Sequence, residues 1–127
     1  MSENKKKILI VEDDPDILSL LEKKLQFEDF ATINAVDGET AIDLAEKEMP
    51  DFIILDILLP KIEGISVLQM IHDNKKTSHI PVIILSNLDS QDSIDQVKAV
   101  GNYEYCIKAK TDLDDLVKKI KTSLGAK

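Results

Sequence analysis

A chain of 127 residues, 43% of them hydrophobic, has the size and apolar content of one domain with a packed core. Its formal net charge is −8 and all 16 basic residues are lysines, which disfavours direct binding to nucleic acid or anionic membranes. The single cysteine excludes an internal disulfide, and the lysine-rich start precedes only four apolar residues, too few for a signal peptide or a membrane-spanning helix. We therefore expect a soluble, cytoplasmic protein.

Apolar runs typical of β-strands alternate five times with segments of helical pattern. The runs cover residues 8–11, 30–35, 52–55, 82–85 and 103–107. The segments between them have roughly ten to fifteen residues, which suits helices that connect parallel strands. The alternation therefore predicts five consecutive strand–helix units.

Several polar and glycine residues predict where the helices begin and end. Asp14 precedes a proline, so it is expected to cap the first helix rather than to bind a ligand. Asp37 with Gly38 predicts a second helix start, and Gly101 predicts a helix end. Thr111, followed by three aspartates within four residues, predicts the N-cap of the last helix.

The composition of the five runs predicts their order in the sheet. The first, third and fourth runs are continuously apolar, as expected for parallel strands covered by helices on both faces. The second and fifth contain polar residues such as Asn34 and Glu104, which suit edge strands. We therefore predict an α/β, flavodoxin-like (βα)5 fold with a five-stranded parallel sheet in the order 2-1-3-4-5. Right-handed crossovers then place the carboxyl end of every strand at one edge.

Polar side chains follow four of the five predicted strands at that edge. Glu12 and Asp13 follow the first strand, Asp56 the third, Ser86 the fourth and Lys108 the fifth. Two carboxylates at ~4 Å repel by about 4 kcal/mol at an effective dielectric constant near 20, so a cation is expected among them. Oxygen ligands without histidine or cysteine favour Mg²⁺, or Mn²⁺, over zinc. An aspartate can also accept a phosphoryl group, whose charge the metal, the lysine and the hydroxyl would stabilise.

In order and spacing these pieces resemble the receiver domains of two-component response regulators, including the single-domain chemotaxis type. The matching pieces are residues 10–13, Asp56 with Pro60 four and Gly64 eight residues later, and residues 82–86 and 105–108. No single piece is specific, whereas all of them in this order are highly specific. The resemblance implies one receiver domain over residues 1–127, with a core of about residues 6–125.

The resemblance also implies an acceptor and a metal site. Asp56 would be the phosphoacceptor, and Glu12 and Asp13 would form an acidic pair in which Asp13 binds Mg²⁺ directly. The backbone carbonyl of Leu58 would be a further metal ligand, beside Asp56 itself.

The remaining residues of the resemblance imply a switch. Ser86 would hold a phosphoryl oxygen, Lys108 would pair with the phosphate, and Tyr105 would turn inward when Ser86 moves. The phosphoryl group would come from a sensor histidine kinase or a histidine phosphotransfer protein. The surface of helix 4, strand 5 and helix 5 would then regulate a downstream protein. Self-catalysed phosphorylation and dephosphorylation would be the only chemistry, so no further enzyme activity is expected.

Some candidate residues also fit purely structural roles. Ser86 fits the N-cap of the fourth helix, and Tyr105 fits a half-buried aromatic residue of an edge strand. His72 and His79 have no partnering cysteine, so we expect both to be exposed and not to bind zinc. Cys106 fits a small core residue rather than a nucleophile.

Three positions depart from the pattern of the family that the chain resembles. Ala109 replaces the proline that commonly follows the lysine; a cis bond costs several kcal/mol more before alanine than before proline, which leaves the isomer open. Asn87 is larger than the small residue often found beside Ser86 and would narrow access to the phosphoryl group. Leu58 occupies a variable position. These departures bear on phosphoryl lifetime and switching, not on the acceptor.

Three other functions compete with the receiver. A phosphotransferase or phosphatase with an aspartyl nucleophile, of the haloacid-dehalogenase type, typically has a second acid two residues after the nucleophile, where this chain has Leu58. A flavodoxin needs a phosphate loop rich in serine, threonine and glycine after the first strand, which is absent. A phosphorylation-independent interaction module would be favoured by loss of Asp13, Asp56 or Lys108, and all three are present.

Overall fold

The computed structural model describes residues 5–60 and 62–125, in which strands and helices alternate along the chain. The elements are β1 (Lys7–Val11), α1 (Pro15–Phe27), β2 (Ala31–Ala35), α2 (Gly38–Glu48), β3 (Phe52–Leu55), α3 (Gly64–Asp73), β4 (Val82–Ser86), α4 (Gln91–Val100), β5 (Glu104–Ile107) and α5 (Leu113–Ser123). A short 3-10 turn, Lys108–Lys110, lies between β5 and α5.

The five strands form one parallel sheet in the order β2-β1-β3-β4-β5. The two strands with polar residues lie at its edges, and the three continuously apolar strands lie at its centre. The predicted fold class and strand order are therefore confirmed.

Helices cover both faces of the sheet because neighbouring strand residues point to opposite sides. Leu9 and Val11 of β1 pack in a cluster with α2, α3 and α4, whereas Ile8 and Ile10 pack in a cluster with α1 and α5. All four of these side chains are buried. Burial of each such side chain contributes about 1.5–3 kcal/mol relative to exposure, so the apolar runs fix both helix layers on the sheet.

Most predicted helix boundaries agree with the structure. The Asp14 carboxylate accepts a hydrogen bond from the backbone N–H of Asp16 at 2.9 Å, which caps α1. The helix α2 begins at Gly38 with Asp37 as its cap, and α4 ends at Val100 with Gly101 as its C-cap. The capping pattern of the sequence therefore located three of these ends correctly.

The capping prediction for Thr111 was wrong, and the alternative structural role considered for Ser86 is not adopted. Asp112, not Thr111, caps α5, since its carboxylate accepts a backbone N–H of the first turn at 3.0 Å. The Thr111 hydroxyl instead donates to the backbone carbonyl of Ile107 at 2.7 Å. Ser90 caps α4, because Ser86 is still part of β4. Both differences arise where two polar residues compete for one helix end.

The two histidines differ in their surroundings. His79 is exposed as expected, but His72 is half-buried, with its Nδ1 atom 2.8 Å from the Tyr103 hydroxyl. The prediction that both are exposed was therefore wrong for His72. Cys106 is buried in the core as predicted. Among the described residues, none of the helices has the length and apolar character needed to cross a membrane.

Candidate functional site

The register of the central strands brings the predicted acidic residues together. Val11 at the end of β1 pairs with Leu55 at the end of β3, so Glu12 and Asp56 leave the sheet side by side. The backbone N–H of Asp56 donates to the carbonyl of Val11 at 3.1 Å, which continues this pairing by one bond. The positions of both carboxylates therefore follow from the strand register.

The polar groups at this edge differ sharply in exposure. Glu12 is 2% exposed, Asp56 is 3% exposed and Ser86 is fully buried, whereas Asp13 is exposed. Buried ionised groups are costly unless they are paired. No buried side-chain nitrogen or oxygen in the described part of the chain is without a hydrogen-bond partner. The edge thus presents buried, paired charges beneath one solvent-facing carboxylate.

Lys108 is the partner of both buried carboxylates. Its Nζ atom lies 2.6 Å from Glu12 Oε1 and 2.6 Å from Asp56 Oδ2. Burial lowers the pKa of Lys108, but the hydrogen bonds to Asp56 and Glu12 outweigh burial and raise that pKa above its ordinary value. The lysine is therefore held in its charged form between the two carboxylates.

For Glu12, the effect of burial on the pKa outweighs the effect of its partners. Burial raises its pKa, and this exceeds the lowering caused by the Lys108 ammonium and by the backbone N–H of Asp14, which lies 3.1 Å from Oε2. An additional cation at this edge would relieve that cost of burying the charge.

The acidic residues have the arrangement needed to hold such a cation. Glu12, Asp13 and Asp56 each offer one carboxylate oxygen, and these oxygens lie within 4.8 Å of one another. An all-oxygen donor set suits Mg²⁺ or Mn²⁺. Asp14 caps α1 with its side chain, which favours the structural role predicted for it. For Leu58 the structure shows an N–H bond to Asp56 Oδ1 at 2.9 Å, and the role of its carbonyl stays a prediction.

The loop after β4 connects Ser86 with Tyr105. The Ser86 hydroxyl oxygen accepts the backbone N–H of Leu88 at 3.3 Å, and the Tyr105 hydroxyl donates to the Leu88 carbonyl at 2.5 Å. Tyr105 is half-buried, and burial followed by the Asp56 charge raises its pKa. Sequence reasoning missed Leu88, which joins the two predicted switch residues through its backbone.

Sequence reasoning also missed a contact between two departures from the family pattern. The Oδ1 atom of Asn87 accepts the backbone N–H of Ala109 at 3.2 Å. The Lys108–Ala109 peptide is trans, since no cis peptide occurs among the described residues. The sequence offered one signal for this hydrogen bond, namely that position 109 is not proline, because only a non-proline residue has a backbone N–H to donate.

Comparisons with known proteins agree with this geometry. The family model of the response regulator receiver domain matches residues 8–121. A probable transcriptional regulator, ycf27 of Guillardia theta, is 40% identical over 107 residues, which are 84% of this chain and 41% of that protein.

Two solved structures illustrate the likeness in three dimensions. The BeF3-activated receiver domain of Klebsiella pneumoniae RstA is 27% identical with a TM-score of 0.86, and the match covers 94% of this chain and 98% of that one. The Mn²⁺-bound form of response regulator Rcp1 is 29% identical with a TM-score of 0.79, and the match covers 92% of each chain.

The chain spans less than half the length of the curated relatives that it matches, for example 41% of the Guillardia theta protein and 35% of Bacillus subtilis PhoP. The family match covers nearly the whole chain, and the fold agrees with it. The chain belongs to the response regulator receiver domain family of two-component signalling.

Proposed function

We propose that the chain is a phosphorylation switch in which Asp56 accepts a phosphoryl group from a sensor histidine kinase or a histidine phosphotransfer protein. The observation that carries this proposal is the buried Asp56 carboxylate, 3% exposed, which lies beside two further acids and 2.6 Å from the Lys108 ammonium. A buried acid with specific charge partners at a strand end is typical of a functional site.

The proposed step transfers the phosphoryl group between two side chains. One Asp56 oxygen forms a bond to phosphorus while the bond from phosphorus to the donor histidine nitrogen breaks, and the imidazole leaves. The N–H of Leu58 holds Asp56 Oδ1 at 2.9 Å, which orients the carboxylate for attack. Lys108 and the Ser86 hydroxyl would then donate to phosphoryl oxygens. Self-catalysed phosphorylation and dephosphorylation are the only reactions proposed.

The proposal assigns a divalent cation, Mg²⁺ or Mn²⁺, to Glu12, Asp13, Asp56 and the carbonyl of Leu58. When bound, such an ion would neutralise negative charge on the carboxylates and the phosphoryl oxygens. The donor oxygens within 4.8 Å of one another and the Mn²⁺-bound form of the similar Rcp1 support this assignment.

The proposed output is a change of the surface formed by α4, β5 and α5. If Ser86 turns toward a phosphoryl oxygen, it releases the N–H of Leu88, whose carbonyl holds the Tyr105 hydroxyl. Moving an equilibrium from 1:99 to 99:1 needs about 5.5 kcal/mol, whereas each new bond to a charged group contributes roughly 1.5–3 kcal/mol. We therefore expect a partial change that a downstream protein completes on binding.

The proposed location and partner of the chain follow from its composition and charge. Residues 1–127 would act as a single receiver domain in the cytoplasm. Because their net charge is −8, they would regulate a protein rather than bind nucleic acid directly. A phosphatase or phosphotransferase gains no support, since Leu58 takes the place of its second acid.

Labelling with a small phosphodonor tests the acceptor. The protein is incubated with acetyl phosphate and Mg²⁺, and the intact mass is measured before and after hydroxylamine. We expect one hydroxylamine-labile phosphoryl group in the wild type and in Asp92→Asn, an exposed control, and none in Asp56→Asn. Labile labelling of Asp56→Asn would show that the acceptor lies elsewhere.

Amide NMR with beryllofluoride, a phosphoryl mimic, tests the output surface. In the wild type we expect shifts in α4, β5 and α5. Lys108→Ala should accept phosphate slowly and show smaller shifts, because the ammonium no longer reaches the phosphoryl group. Equal shifts in both proteins would contradict a coupling through Lys108.

A further inference from the structure

A side chain continues the pairing of β4 and β5 beyond the end of the sheet. The last register pair of these strands is Ser86 with Ile107. One residue further along, the Asn87 carbonyl oxygen Oδ1 accepts the backbone N–H of Ala109 at 3.2 Å. Asn87 thereby supplies an acceptor at the point where the two backbones separate.

The two segments joined by this bond carry the groups that act on the phosphoryl group in the proposed function. Ser86 directly precedes Asn87, and Lys108 directly precedes Ala109. On its other side, the Lys108–Lys110 turn is held by Thr111, whose hydroxyl donates to the Ile107 carbonyl at 2.7 Å. The Thr111 bond thus joins the two residues that flank the turn, and the Asn87 bond holds its middle residue, Ala109.

We propose that Asn87 is a positioning residue, which aligns the Lys108 ammonium with Asp56 and makes the Ser86 loop and the Lys108 turn move together. This inference rests on the proposed phosphoacceptor function and deepens it. Asn87 acts through the N–H of Ala109 and does not touch the reacting atoms. The bond exists only because position 109 is not proline, so the two departures from the family pattern form one unit.

The competing explanation is that Asn87 acts by its size and narrows access to Asp56. The two explanations predict opposite results for truncation. Loss of an acceptor slows phosphorylation because Lys108 is held less firmly, whereas loss of bulk speeds it because the phosphodonor enters more easily. An isosteric apolar residue separates them further, since it keeps the bulk and removes the acceptor.

The experiment compares Asn87→Ala and Asn87→Leu with the wild type and with Asn102→Ala, an exposed asparagine at the opposite end of the sheet. The initial rate of labelling by acetyl phosphate is measured with saturating Mg²⁺. One exposed hydrogen bond makes a small net contribution, so we expect both Asn87 variants to be slower by about threefold and Asn102→Ala to be unchanged. Hydrogen exchange of the Ala109 amide, measured without phosphodonor, should accelerate by a similar factor in both Asn87 variants.

The outcomes separate this inference from the function on which it rests. Slower labelling and faster Ala109 exchange in both Asn87 variants support it. Normal wild-type labelling with unchanged or faster labelling in Asn87→Ala overturns this inference alone. Unchanged hydrogen exchange of the Ala109 amide in the Asn87 variants would show that the bond from Ala109 to Asn87 does not form in solution, which also overturns it. Absence of labelling in the wild type overturns the proposed function and this inference with it.

Discussion

Two groups of lysines and carboxylates in this molecule have similar distances but different surroundings. The site cluster consists of Glu12, Asp56 and Lys108, and the surface cluster, which joins α1 to α5, consists of Lys24, Glu28, Asp114 and Lys121. The shortest nitrogen–oxygen distance is 2.6 Å in both clusters. Side chains of the site cluster are 3–12% exposed, whereas those of the surface cluster are 22–70% exposed.

The difference in exposure determines how much the ion pairs of each cluster contribute to stability. Water screens the surface cluster, so its pairs contribute little to stability. In the site cluster, one ammonium balances two carboxylates that have lost most of their contact with water. Removal of a partner there leaves an uncompensated buried charge, which is costly. Equal geometry therefore predicts unequal responses to mutation.

Replacement of the shared lysine should have the largest effect on stability. Without divalent cations, Lys108→Ala should lower the free energy of unfolding by about 3 kcal/mol, because Glu12 and Asp56 lose their common partner. Urea denaturation measures this change, and added Mg²⁺ should restore part of it. Lys110→Ala, an exposed neighbour, should be neutral. Equal stability of the two variants would show that water reaches the site cluster freely.

Removal of the exposed Asp13 carboxylate should have the second-largest effect, which is on cation binding. Asp13→Asn should weaken Mg²⁺ binding by about tenfold or more, which is about 1.4 kcal/mol, because Mg²⁺ is held by only one or two carboxylates in such sites. Calorimetric titration measures the affinity, with Asp16→Asn as an exposed control on α1. Equal affinity of wild type and Asp13→Asn would remove this residue from the proposed ligands.

Neutralisation of Asp56, the proposed acceptor, should change the free energy of unfolding less than Lys108→Ala does, and in the opposite direction. Asp56→Asn keeps nearly the same volume and leaves one carboxylate, Glu12, to pair with Lys108. Without metal, we expect the free energy of unfolding to be unchanged or higher by up to about 1 kcal/mol, as like-charge repulsion falls. Thermal unfolding tests this expectation. A clear loss of stability would mean that Asp56 contributes more through its pairing with Lys108 than it costs by burial.

The surface cluster should give the smallest effect, visible mainly through pH. Lys121 and then Lys24 lower the pKa of Glu28 below its ordinary 4.5, and Lys24 lowers the pKa of Asp114 below 3.8. Lowered carboxyl pKa values stabilise the fold above those ordinary values, and the contribution is lost as pH falls through the lowered ones. Lys24→Ala should therefore weaken stability slightly at pH 7, and denaturation at successively lower pH should show this difference shrinking.

High salt concentration provides a control for the comparison of the surface cluster with the site cluster. Because exposed pairs are screened, 1 M salt should reduce the difference between wild type and Lys24→Ala at pH 7. The stability loss of Lys108→Ala should change less under the same conditions, since its charges are buried. Denaturation at low and high salt tests both, and equal salt sensitivity would contradict the contrast between the clusters.

The sequence was sufficient for the fold and for the polar residues that meet at one edge of the sheet, since both depend on short patterns. Continuous apolar runs separated central strands from edge strands, and the first polar residue after each run identified Asp56, Ser86 and Lys108. These properties are local and repeat with the period of a strand or helix. The structure then brought the residues together because parallel strands all end at one edge.

One error concerns a contact four residues away, and the others concern contacts between residues distant in sequence. Thr111 and Asp112 fit the helix cap equally well locally, and the choice followed from the Ile107 carbonyl, which receives the Thr111 hydroxyl. His72 was expected to be exposed because nothing near it in the chain indicates Tyr103, which lies 31 residues away. The pairing of Asn87 with Ala109 spans 22 residues and was missed for the same reason.

The bond from Tyr105 to Leu88 gives the protein an optical reporter. The chain has two tyrosines and no tryptophan, so tyrosine dominates its ultraviolet emission. Tyr105 donates to a carbonyl of the loop that carries Ser86, whereas Tyr103 contacts His72 at the opposite end of the sheet. A rearrangement of that loop therefore changes the surroundings of Tyr105 directly, so the proposed switching can be followed by tyrosine fluorescence without an added label.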